Sequence, residues 1–117
     1  MRTTWEKFQG ATLSLARSGP IKERLADAFR NHLAFVAEDE LPRELREQFR
    51  AVHATMTRER PLVRGEDAIR ATIRKMSTDE ADRVACTVVR MFSALPRNTQ
   101  SRSASGAQVV SLHAAEA

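Results

Sequence analysis

Three histidines, one cysteine and sixteen arginines hold most of the chemistry that this 117-residue chain could perform. His32 falls, at 100° per residue, near the middle of an apolar helical face, between Ile21 and Leu25 in projection. A ring buried there needs a hydrogen-bond partner. The expected state is a neutral core histidine; the sharper roles weighed against it are a pH-sensitive group, a phosphoryl acceptor or a metal ligand. Phosphotransfer domains expose their histidine and follow it three residues later with lysine, and here Phe35 stands at that position. His53, Cys86 and His113 lie on other segments, and no pair has the i, i+4 or CxxC spacing of a preformed metal site. Glu38-Asp39-Glu40 reads as a solvated run between helices. Four scattered glycines make no phosphate loop, and no paired carboxylates bracket a cleft. The chain is therefore expected to be no enzyme and to need no metal or cofactor.

Charge is a better lead. Nineteen basic against fifteen acidic side chains leave a formal excess of +4. Between Arg58 and Lys75 stand six cations (Arg58, Arg60, Arg64, Arg70, Arg74, Lys75) against three anions (Glu59, Glu66, Asp67), so three of the four excess charges gather there. Arg70 and Arg74 are one helical turn apart, opposite Ile69 and Ile73, and are expected to face solvent together. With the arginines of the preceding loop they could grip an acidic protein surface or phosphates. The opposing view is that Glu66 and Arg70 form an ordinary i, i+4 pair and that cations late in a helix complement its dipole.

The elements that must position these residues read as helical from end to end, because apolar residues recur at intervals of three and four and proline or glycine marks nearly every break. A first helix is expected over Thr4 to Arg17, opened by a Thr3/Glu6 capping box and closed by Gly19-Pro20. A second runs from Pro20 to Ala37 and buries Ile21, Leu25, Ala28, Phe29, His32 and Val36. The third, Pro42 to Thr57, carries Leu45, Phe49, Val52 and Met56 inward. A fourth follows over Glu66 to Met76, with Ile69, Thr72, Ile73 and Met76 inward. Ser77 with Glu80 gives a second capping box, opening a fifth helix from Asp79 to Leu95. These five make a compact all-α bundle over residues 1–95. From residue 96 to 117 the composition shifts to Ser, Asn, Gln, Thr, Ala and Gly, the signature of a disordered polar tail with one apolar spot, Val109 to Leu112.

Helix 5 is apolar around most of its circumference: beside its main face, Cys86, Val89 and Ser93 form a second stripe of small residues, a candidate oligomer face. Helices 4 and 5 depart from a helix-turn-helix, since Lys75 stands where the turn glycine belongs and Asp79, Glu80 and Asp82 would repel phosphates. With one Trp and five Phe, most on core faces, a base-stacking platform has no visible material. From a single cysteine and the lack of an export signal, a cytoplasmic chain is expected. No uncharged run is long and apolar enough to bring it into a membrane. The expected function is a small non-enzymatic interaction or regulatory module, homodimeric, meeting another protein through the Arg58 to Lys75 surface or the small-residue face of helix 5. The alternative is a nucleic-acid-associated protein that contacts phosphates through the same arginines.

Overall fold

In a computed structural model, residues 2–99 are described. They form an all-α bundle of five helices, without strands: α1 (Thr4–Leu15), α2 (Ile21–Asn31), α3 (Arg43–Met56), α4 (Ala68–Lys75) and α5 (Thr78–Ala94). None is long and apolar enough to cross a membrane. Local chemistry sets most of the boundaries. Thr3 Oγ1 accepts from the Glu6 N–H while Glu6 returns a carboxylate oxygen to the Thr3 N–H, the expected capping box. Ser77 caps α5 by accepting from the Glu80 N–H at 3.0 Å. The reciprocal half is missing, because the Glu80 carboxylate is turned to Arg58 instead.

The core gathers one face from every helix. Phe8, Leu25, Phe29, Met56, Ile73 and Val88 are all essentially inaccessible. Phe8 and Phe49 meet with ring centroids 6.2 Å apart, and Trp5 packs on Phe92 at 5.1 Å, tying α1 to both α3 and α5. Past α5 the chain returns to the start of α1. There the Trp5 N–H donates to the Thr99 carbonyl and the Arg97 guanidinium lies 4.8 Å over the Trp5 ring. The segment 100–117, with the Val109 to Leu112 spot, lies outside the described residues.

The expectation for α2 is corrected. The helix stops at Asn31, six residues before Ala37, and His32 leaves helical geometry at φ −131°. A 3-10 turn, Leu33–Phe35, and a second, Glu38–Glu40, carry the chain to α3. The physical reason lies in what each arrangement buries. A continued helix would press the His32 ring into the centre of the core face, whereas the break buries Leu33, Val36 and Leu41. His32 is left half-buried at the edge, its ring against Gly10 of α1. A Cβ at Gly10 would come within 2.6 Å of the imidazole, so only glycine allows this approach. Arg2 donates to His32 Nδ1 at 3.1 Å, and burial with that nearby cation lowers the histidine's pKa. Both effects favour the neutral ring, which sits at the edge of the core rather than within it.

Candidate functional site

The loop between α3 and α4 is held at both feet. On the α3 side, Arg58 makes a two-pronged pair with Glu80 of α5, one contact being 2.8 Å. Next to it, the Glu59 N–H donates to Thr72 Oγ1 at 3.0 Å, a hydroxyl buried in the core. On the α4 side, Asp67 caps the helix by accepting from the Arg70 N–H at 2.8 Å and also receives Arg30 of α2 at 2.9 Å. Both contacts hold its carboxyl below the ordinary value, the backbone N–H more strongly. Glu66 takes Arg74 through two contacts of 2.9 and 3.2 Å, and its pKa falls for that reason first. The same carboxylate accepts from the Leu62 N–H, and the Glu66 N–H donates to the Val63 carbonyl at 3.1 Å. Gly65, at φ +86°, supplies the left-handed residue that this tight turn requires.

These clamps change the meaning of the basic region. Arg70 reaches Glu23 of α2 at 3.1 Å, and Lys75 lies 3.5 Å from Glu59. Arg70 and Arg74 therefore do reach the surface, but each has a carboxylate, and Glu66 pairs with Arg74 rather than with Arg70. Of the six cations, only Arg60 and Arg64 form no ion pair among the described residues. They bracket Leu62 and Val63, which are 72% and 63% exposed. Reading the cations alone misses this apolar tip. Its signal is two aliphatic residues inside a break with arginine on either side.

The second candidate surface is the α5 face. Cys86 and Ser93 are exposed and Val89 is 41% exposed. Beside them a groove of 390 Å³ opens between α5 and the α1–α2 corner, its apolar wall made by Leu15, Ile21, Ala85 and Val89. Asp82, Arg90 and Arg24 complete its rim. Arg24 is occupied by the carbonyls of Leu15 and Gly19, which closes the end of α1. Asp82 and Arg90 make no ion pair among the described residues.

The remaining groups are taken up by structure. Glu38 pairs with Arg50, Glu40 accepts from the Ala37 N–H and the Thr4 hydroxyl, and His53 packs edge-on against Phe29 at 5.5 Å. Among the described residues no three His, Cys, Asp or Glu side chains converge as metal ligands would. No family model matches the chain, and no curated protein or solved structure is significantly similar to it.

Proposed function

We propose that the protein is a small non-enzymatic interaction or regulatory module that binds another protein through the loop between α3 and α4. The observation that carries this reading is the tip itself: Leu62 and Val63 stand exposed between two arginines that have no ion partner among the described residues, on a loop whose feet are tied to α2, α4 and α5. Apolar anchors on a preorganised support favour a protein partner, because little ordering entropy remains to be lost on binding. Arg60 and Arg64 would meet carboxylates at the rim of the partner's site. A single exposed thiol with no disulfide suits work in the cytoplasm, and the exposed face of α5 offers a second contact surface that supports a homodimer.

Contact with nucleic-acid phosphates through the same arginines is the second reading, supported by the two guanidiniums that have no ion partner among the described residues and weakened by the carboxylates held by the other four cations. Affinity capture from native lysate at moderate salt, with and without nuclease, separates the two. Under the first, a protein is retained despite nuclease and is lost when Leu62→Asp and Val63→Asp are combined. Retention that depends on nucleic acid, falls steeply with salt and disappears with Arg60→Glu and Arg64→Glu would establish the second instead.

A further inference from the structure

The groove beside α5 has a charge pattern that selects its occupant. Asp82 and Arg90 both line it, and Cys86 lies midway between them, four residues from each. At 1.5 Å per residue the two charges sit about 6 Å on either side of Cys86 along the helix. In projection Asp79, Asp82, Cys86, Val89, Arg90 and Ser93 share one face, Asp79 lying farther out, about 10 Å from Cys86 along the helix. One anion and one cation disposed evenly about a small, exposed residue are self-complementary under a two-fold rotation. Arg24 adds a second cation at the rim, so an acidic ligand would still be opposed by Asp82 and a basic one by Arg24 and Arg90. A second copy laid antiparallel satisfies both, Asp82 facing the other copy's Arg90 twice over. A parallel pairing sets like charge against like.

We infer that α5 pairs with α5 of a second copy, antiparallel, with the two-fold axis at Cys86 and Val89 of each copy against the apolar wall of the groove. This rests on the reading of the chain as an interaction module only in treating α5 as a contact surface; the loop takes no part. Because both charge pairs lie about one helical turn from the crossing point, they remain in reach over a range of crossing angles.

Light scattering on the full chain, from low to high micromolar concentration, should show a species of twice the 13.1 kDa chain mass. Asp82→Arg alone and Arg90→Asp alone each turn two attractions into two repulsions and should weaken pairing about tenfold or more. The two changes combined in one chain, or the two single variants mixed, should restore it. Both positions are exposed, so the helical circular dichroism should stay unchanged. Under a mild thiol oxidant such as diamide, wild type should form a covalent dimer and Cys86→Ser should not. A chain that is monomeric throughout overturns the inference, as does a dimer indifferent to both charge reversals or one that fails to cross-link. A monomer that still captures its partner through Leu62 and Val63 would sink the pairing and leave the proposed function standing. A dimer whose capture of protein ignores those residues would do the reverse.

Discussion

Two connections of equal length, residues 32–42 between α2 and α3 and residues 57–67 between α3 and α4, are built on opposite principles. The first sinks its larger aliphatic residues: Leu33, Val36 and Leu41 are each at most 6% exposed, Phe35 alone among its large apolar side chains stays out at 65%, and its polar groups tie it to Thr4 and Lys7 of α1 and to Arg2 just before it. The second exposes its aliphatic residues and is fastened by charge at its feet. The contrast shows that an irregular segment joins the core when its apolar side chains have somewhere to go. When they do not, ion pairs hold the backbone while the side chains stay available to something else.

The sharpest way to break this contrast is truncation. Leu33→Ala removes a fully buried side chain from the first connection and should cost about 2–5 kcal/mol of unfolding free energy in denaturant titration. Leu62→Ala in the second should change it by less than about 0.5 kcal/mol. Equal costs would mean that the loop tip is packed and would remove the basis for calling it a binding surface.

A smaller effect tests how the first connection sits on α1. Gly10→Ala gains helix propensity but drives a methyl into the His32 ring, so in wild type it should destabilise by about 1–2 kcal/mol. In a His32→Ala background the same change should stabilise by about 0.5–1 kcal/mol, the ordinary preference of a helix for alanine over glycine. The sign reversal is the measurement. Additive effects would show that the ring is not where it is described.

How much of this was legible from residue types follows from the range of each interaction. Caps are local, so Thr3 with Glu6 and Ser77 mark their helix starts correctly, while Gly19-Pro20 stands beyond the end of α1, which stops at Leu15 rather than Arg17. The inward faces of α3 and α4 follow from periodicity, down to buried Thr72. The end of α2 could not be read that way. No proline or glycine interrupts residues 21–41, and His32 and Val36 keep the helical spacing, so only the tertiary competition between Leu33 and an unpartnered imidazole places the break. The candidate site was half legible. The cluster of arginines is plain in the sequence, but Arg70 finds its carboxylate 47 residues away and Arg58 finds one 22 residues away, and no spacing rule reaches that far.

The foot of the second connection gives a middle-sized test. Thr72→Val keeps the buried shape but leaves the Glu59 N–H without its acceptor, and should cost about 1 kcal/mol or somewhat more. Amide hydrogen exchange should quicken at Glu59 and across 60–64 more than in α3. Exchange that quickens everywhere alike would mean that the hydroxyl holds the core rather than the loop.

The smallest effect separates the two connections by pH. His32 has a folded pKa below its ordinary 6.5, so the stability it contributes is fully present above 6.5 and is lost as pH falls through that value toward the folded one. Protonation also sets an imidazolium against Arg2, removing the acceptor at Nδ1. The carboxylates at the feet of the second loop, Glu66, Asp67 and Glu80, are likewise depressed, but from 4.5, 3.8 and 4.5. Their contribution persists until pH drops below those values. On acidification the first connection should therefore loosen before the second, seen as protection factors that fall around Leu33 to Val36 once pH drops below 6.5 while residues 59–67 keep theirs until pH drops below 4.5. These ion pairs are surface-exposed, so the second step should be modest and should shrink as salt is raised. His32→Gln should erase the first step and leave the second. A single transition shared by both connections would show that the two are one cooperative unit, and that the loop is no more independent of the core than the segment that is buried in it.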